Sequence, residues 1–252
     1  MYFESHAHYD DERFDRDREA LLKALPDYGI DFVINSGADL KSSYAGKELS
    51  QKYDYIYFAA GVHPHELYHM TDETLEKIRQ LTKHRKCVAI GEIGLDYYYD
   101  TFSREEQKFW FKEQLKLAQQ VNIPVIIHSR EASQDSFDII RQSDVRKGVI
   151  HCYSGSVEMA QEYTKMGFFI GIGGVLTFQN AKKLVEVAKN VPIESILLET
   201  DSPYLTPVPN RGKRNDSRNL EYIVKKLAEI KAMTPFEVAN ITLKNGKKLF
   251  FL

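Results

Sequence analysis

Residues 123–154 open with IPVIIHSR (123–130) and close with GVIHCYS (148–154), two short apolar runs held apart by a longer polar segment. Each run places β-branched or apolar residues side by side and then delivers a histidine, His128 or His151. Runs of this length read as buried strands, and strand, helix, strand in succession reads as one step of a parallel sheet. A single histidine directly after such a run is unusual in a core. It fits the place where a strand meets a site.

The same pattern extends outward in both directions. Candidate strands fall at 2–8, 30–38, 55–63, 87–96, 123–130, 148–154, 168–174 and 196–202, with helix-like segments between them. Eight such units predict an α/β protein with a TIM (β/α)8 barrel, one domain over 1–252, and an additional C-terminal helix. A doubly wound open sheet would use fewer strands. Helix starts are signalled by Ser103 with Glu106, and by Thr234, Pro235 and Glu237, in which an N-cap hydroxyl and a carboxylate three residues on satisfy free backbone N–H groups. The segment 103–121 is expected to turn Phe109, Leu115, Leu117 and Ala118 toward the sheet.

Composition narrows the setting. The 252 residues carry a formal net charge of −2, so any polyanion site must be a local concentration of cations. The N-terminus lacks a basic region followed by an apolar run, and no 18 apolar residues occur together, so a cytoplasmic, membrane-free protein is expected. Cys87 and Cys152 sit in separate strand candidates and read as reduced core thiols. Neighbours on a strand point to opposite faces, so Cys152 is expected to face away from His151.

Chemistry concentrates at the strand ends, where barrel enzymes build their sites. His6 and His8 are two apart on the first strand and project together. Glu92 interrupts the apolar run GEIGLD (91–96), His128 and His151 end the fifth and sixth strands, and Asp201 ends the eighth. Four imidazoles and two carboxylates exceed one tetrahedral zinc with an open position, so two divalent metal ions bridged by a carboxylate are expected. A histidine-rich set suits Zn²⁺ or Mn²⁺. Arg130 lies two residues past His128, and Arg211, Lys213, Arg214 and Arg218 follow the eighth strand; Arg130 and Arg214 are the expected phosphate contacts, Lys213 and Arg218 a solvated loop. His63 and His65 could contact phosphate or close the site. Tyr98, Tyr153, Phe178 and Tyr204 could stack on unpaired bases.

These residues resemble the TatD-type deoxyribonucleases, within the wider class of amidohydrolase-like metal barrels. The resemblance rests on Gly61-Val62-His63-Pro64-His65, Gly91 to Asp96, His128-Ser129-Arg130, His151 to Ser156, Gly171-Ile172-Gly173-Gly174 and Glu199 to Leu205, in family order. It implies that His6, His8, Glu92 and Asp201 surround one ion and that Glu92, His128 and His151 hold a second. It also implies Mg²⁺-dependent 3′-to-5′ exonuclease action on DNA, single-stranded or at ends. Glu92 and Asp201 are then the catalytic carboxylates, Asp201 accepting a proton from the attacking water. Two departures stand out: Glu4 replaces the usual aspartate and could reach a ligand histidine differently, and Asn215-Asp216-Ser217 replaces Asn-Glu-Pro. A hydrolase of a small amide, ester or lactone would use the same ions without needing arginines at the rim. A non-catalytic, metal-stabilised nucleic-acid-binding module would leave Asp201 without a purpose.

Overall fold

The computed structural model describes residues 1–99 and 101–251. Eight parallel strands pair strictly in chain order: β1 (Tyr2–Ala7), β2 (Ile30–Ser36), β3 (Ile56–Ala60), β4 (Cys87–Asp96), β5 (Val125–Arg130), β6 (Gly148–Ile150), β7 (Phe168–Ile172) and β8 (Ile196–Leu198). Between them run α1 (Arg18–Ala24), α2 (Leu40–Lys52), α3 (Asp72–Leu81), α4 (Arg104–Val121), α5 (Ser133–Gln142), α6 (Val157–Lys165) and α7 (Lys182–Asn190); α8 (Leu220–Lys231) and α9 (Pro235–Phe250) follow β8. This is the (β/α)8 barrel read from the sequence, with α9 as the additional helix. None of the described helices is long and apolar enough to cross a membrane.

Closure of the barrel depends on the chain just past β8. The Asp201 N–H donates to the His6 carbonyl (3.0 Å) and the His8 N–H to the Ser202 carbonyl (2.7 Å). Glu4 is fully buried beside this seam, where it accepts the Thr200 N–H at 2.8 Å, the Thr200 hydroxyl at 2.6 Å and the His6 N–H at 3.3 Å. One inward cluster joins Phe3, Ile34, Ala59, Val88, Ile126, Val149, Phe169 and Leu197, drawn from all eight strands, to Leu243, Leu249 and Phe250 of α9. Helix α9 therefore covers the N-terminal end of the barrel. Residues two further along the same strand face, such as His128 after Ile126 and His151 after Val149, emerge at the opposite end.

The structure corrects several local expectations. β6 and β8 end at Ile150 and Leu198, so His151 and Asp201 stand just beyond their strands. Left-handed backbone at Cys152 (φ 45°) and Asp201 (φ 55°) keeps both of these residues out of a strand. Strand alternation consequently fails at Cys152: it lines the same cavity as His151 and is only partly buried, whereas Cys87 is a core thiol. Phe109 is 53% exposed, whereas Leu115, Leu117 and Ala118 are buried as expected, together with Gln107, Phe111 and Gln114. Those glutamines hold strand ends, Gln107 accepting the Asp96 N–H and Gln114 bonding both backbone groups of Val62. Thr234 and Glu237 form the full reciprocal cap with Pro235 first in the helix, while Ser103 only accepts the Glu106 N–H.

Candidate metal centre

At the C-terminal end of the barrel a cavity of about 740 Å³ is lined by His8, Glu92, His128, His151 and Asp201, with His63, His65, Asp96 and Arg130 around them. His6 lies fully buried behind it. The strands impose this convergence. β4 and β5 approach so closely that a Cβ on Gly94 would lie 1.9 Å from the His128 carbonyl oxygen, and at φ 146° only glycine is comfortable there.

Glu92 is the hub. Its Oε2 lies 3.2 Å from His6 Nε2 and 3.6 Å from His8 Nε2, while its Oε1 lies 2.9 Å from His128 Nδ1 and 3.2 Å from His151 Nε2. Asp201 Oδ1 completes the first side at 3.6 Å from His8 and 3.8 Å from His6. Burial alone would raise the Glu92 carboxyl, but the His151 and His6 imidazoles outweigh it and hold it well below the usual range. Burial likewise opposes, and the surrounding imidazoles enforce, a lowered pKa at Asp201. Both carboxyls are thereby kept ionised. At His8 burial pulls the pKa down, yet the Asp201 and Glu92 carboxylates carry it up to about 9, so a proton and a cation compete for this nitrogen.

Whether the donors suit a metal ion is decided by their tautomers. His8 Nδ1 can only donate to the Ser36 carbonyl at 2.9 Å, which leaves Nε2 as a lone pair aimed into the cluster. His6 Nε2 lies 3.0 Å from that lone pair, with its own Nδ1 3.1 Å from the Ser36 hydroxyl. Two bonds of about 2.0–2.1 Å at a tetrahedral angle would set ligand nitrogens roughly 3.3 Å apart, close to what is seen. On the other side His128 stands between two carboxylates, Nε2 3.0 Å from Asp96 and Nδ1 2.9 Å from Glu92; burial lowers its pKa but these carboxylates raise it, so a proton and a cation compete for Nδ1 as well. Glu199 stands 3.3 Å behind His151 Nδ1, close but not aligned as a hydrogen bond. A carboxylate or carbonyl behind each ligand imidazole is the usual support of a metal site.

Ligand atoms lying within 4.8 Å of one another gather as His6–His8–Asp201, His6–Glu92–His151, His63–Glu92–His128 and His63–His65–Asp96. The last two sets fail on chemistry. His63 Nδ1 accepts the His65 backbone N–H at 3.1 Å, so its Nε2 carries the proton and cannot ligate. Burial, then neighbouring His128, drives its pKa well below 6.5, so it is a neutral donor 3.7 Å from Glu92 Oε1. The six expected ligands converge, and His63, His65 and Arg130 line the same cavity. Arg214 does not: it forms a two-pronged ion pair with Asp17 (2.6 and 2.7 Å) over the Phe14 ring, beside a separate cleft of about 350 Å³.

The TatD related DNase family matches residues 3–251. This chain belongs to that family. Over 252 residues it is 42% identical to the Bacillus subtilis protein YabD, a metal-dependent hydrolase without further characterisation, covering 99% of both chains. The crystal structure of YjjV, a TatD homolog from Escherichia coli K12, superposes with a TM-score of 0.94 at 33% identity, covering 100% of this chain and 98% of that one. An uncharacterised amidohydrolase from Saccharomyces cerevisiae, 21% identical with a TM-score of 0.85 over 99% of each chain, shares the fold. As a TatD protein the chain is a metal-dependent hydrolase.

Both departures from the TatD pattern find structural explanations. Glu4 bonds the Thr200 hydroxyl and the Thr200 and His6 backbone N–H groups rather than an imidazole, and its total burial, which raises the carboxyl to about 8, rules out a surface role. In Asn215-Asp216-Ser217, Asn215 donates to the Thr200 and Tyr204 carbonyls, Asp216 accepts the Arg218 N–H and guanidinium, and Ser217 meets the Tyr9 hydroxyl at 2.7 Å. The loop is pinned without a proline. Tyr153 is buried and bonds the Ser156 carbonyl, which removes it from any stacking role, and Arg211 covers the Phe178 ring. Sequence reading assigned no role to Ser36, Asp96 or Glu199. Asp96, four residues after Glu92, shares a face of β4 with it, and that spacing is a signal in the sequence; Glu199 lies past the end of β8, where alternation gives none.

Proposed function

We propose that this TatD protein hydrolyses phosphodiester bonds of DNA as a 3′-to-5′ exonuclease on single strands or ends, with two divalent ions bridged by Glu92. The carrying observation is that each Glu92 oxygen faces a different imidazole set. His6, His8, Asp201 and Glu92 would hold one ion, and Glu92, His128 and His151 the other; the His128 and His151 rings lie 6.0 Å apart, on either side of Glu92 Oε1. Divalent ions, when bound, supply Lewis acidity that acidifies water and neutralises charge at phosphorus. The donor set favours Zn²⁺ or Mn²⁺, with Mg²⁺ the choice by family resemblance.

The protein supplies the rest. Asp201, ionised and at the edge of the cluster, accepts the proton of the attacking water. His63 offers its Nε2–H to a phosphoryl oxygen as negative charge develops. Arg130, exposed at the rim and stacked 3.8 Å over Tyr98, draws the following phosphate. A second reading, hydrolysis of a small amide, ester or lactone, gains from one observation: Arg214 and Arg218 are already paired with Asp17 and Asp216, leaving fewer free cations at the mouth than the sequence suggests.

The deciding test is a time course on an end-labelled single-stranded oligonucleotide with Mg²⁺, Mn²⁺, Zn²⁺ or chelator, beside Glu92→Ala and Asp201→Asn. Metal-dependent laddering from the 3′ end, lost in both variants, is the expected result. DNA left intact in every metal, with small esters hydrolysed, would transfer the assignment to the second reading.

A further inference from the structure

The two walls of the mouth differ in charge. Strands β8 and β1 lie diametrically opposite β4 and β5 in an eight-stranded barrel paired in order. Past β8 and β1 stand Tyr204, its ring 6.4 Å from that of His8, and the carboxylates Asp10 and Asp11, all lining the cavity. The Tyr204 hydroxyl donates to Asp11 at 3.2 Å, and Asn35 donates to Asp10 at 2.8 Å, so these side chains are fixed in place. Arg13 covers the Tyr204 ring at 4.5 Å and lies 3.8 Å from Asp11, offsetting one of the two charges. Past β4 and β5 stand Tyr99, its ring 5.0 Å from that of His65, and Arg130, which lies 3.8 Å over Tyr98 and 5.2 Å from Tyr99. Asp96 also lines this side, but it is buried and faces His128 Nε2 at 3.0 Å and His65 Nε2 at 3.2 Å, and among the described residues no carboxylate lies within ion-pair distance of Arg130.

A nucleic-acid strand lying across the metal centre meets these walls unequally. The side with Arg130 and two tyrosines accepts phosphate and stacks bases. The side with Tyr204, Asp10 and Asp11 can stack one base but repels a further phosphate. We infer that the Tyr204 wall is the end-selecting element of the enzyme: it seats a terminal nucleoside ending in a hydroxyl, and Asp10 and Asp11 exclude a strand that continues. The inference rests on the nuclease reading above and explains why such a nuclease would act from an end. Asp10 and Asp11 set specificity and take no part in bond breaking.

The test compares four single-stranded DNA substrates of one sequence: linear with 3′-hydroxyl, linear with 3′-phosphate, linear with 5′-phosphate, and circular. Wild type should cut the 3′-hydroxyl and 5′-phosphate strands alike, and the 3′-phosphate and circular strands about tenfold or more slowly. Asp11→Asn and Asp10→Asn should narrow that gap at unchanged metal content, measured by mass spectrometry. Arg130→Ala should instead raise KM on every strand and leave the discrimination intact. Equal cutting of all four by wild type, or asparagine variants that discriminate as wild type does, would overturn the inference while the nuclease stands. No cleavage of any strand by metal-loaded wild type removes both.

Discussion

Glu199→Gln separates the support of a ligand from the support of the fold. Glu199 is fully buried, accepts the Cys152 N–H with Oε1, stands 3.3 Å behind His151 Nδ1, and leaves Oε2 without a hydrogen-bond partner. Glutamine has the same length and keeps an oxygen for the Cys152 N–H, so shape survives and only the charge goes. Loss of a carboxylate behind a ligand histidine typically costs 10–100-fold in metal affinity, about 1.4–2.8 kcal/mol. The effect should fall on the ion beside His151 and spare the one beside His8, whose imidazole leans on the Ser36 carbonyl. The protein stripped of metal should lose stability as well, since burial lowers the His151 pKa but the Glu92 and Glu199 carboxylates carry it well above 6.5, and the amide leaves that buried imidazolium with one carboxylate fewer. Calorimetric titration with Zn²⁺ or Mn²⁺, together with Tm of the stripped and loaded protein, reads both terms. One site weakened, with the stripped Tm lowered, is expected. A fall in Tm in both forms with metal affinities intact would refute the argument and make Glu199 a packing residue.

Three other variants follow from the same geometry. Glu4 has its carboxyl raised by burial from 4.5 to about 8, so its contribution to stability is present below about pH 4.5 and lost as pH rises through about 8, of order 5 kcal/mol in all; Glu4→Gln should flatten that pH dependence in denaturant titrations, and parallel curves for the two proteins would contradict it. His63→Ala should lower kcat roughly 10²–10³-fold at unchanged metal content, because a donor to the developing charge is lost rather than a ligand; loss of metal from this variant would show that His63 ligates after all. Arg214→Ala should cost about 1 kcal/mol in stability through its Asp17 pair and Phe14 contact while leaving KM for DNA unchanged; a raised KM would return Arg214 to the binding surface.

The barrel was legible because its signal is repeated. Eight apolar runs with matched spacing leave few alternatives, and an error at one end of a strand does not alter the topology. What single residues do at strand ends was less legible, since there the backbone leaves the regular pattern. Cys152 and Asp201 take left-handed conformations that no periodicity announces, and the two-residue alternation that placed His6 beside His8 misplaced Cys152. On α4 the buried stripe includes two glutamines, so a rule seeking apolar residues chose Phe109 in their stead.

The site divides along a similar line. Ligands are legible because imidazoles and carboxylates at the ends of buried strands are costly unless something holds them, and the sequence shows that cost directly. Their supports are not, because they are relations between strands: Ser36 on β2 fixes the tautomer of His8 just past β1, Asp96 on β4 holds Nε2 of His128 on β5, and Glu199 past β8 stands behind His151 past β6. The same holds for charge. Arg130 ends β5 and Arg214 lies in the loop after β8, and both look available to phosphate in the sequence, yet Asp17 claims Arg214 and leaves Arg130 to the cavity. A cation becomes a candidate phosphate contact only when the fold provides no nearer carboxylate, and that condition is settled by tertiary structure.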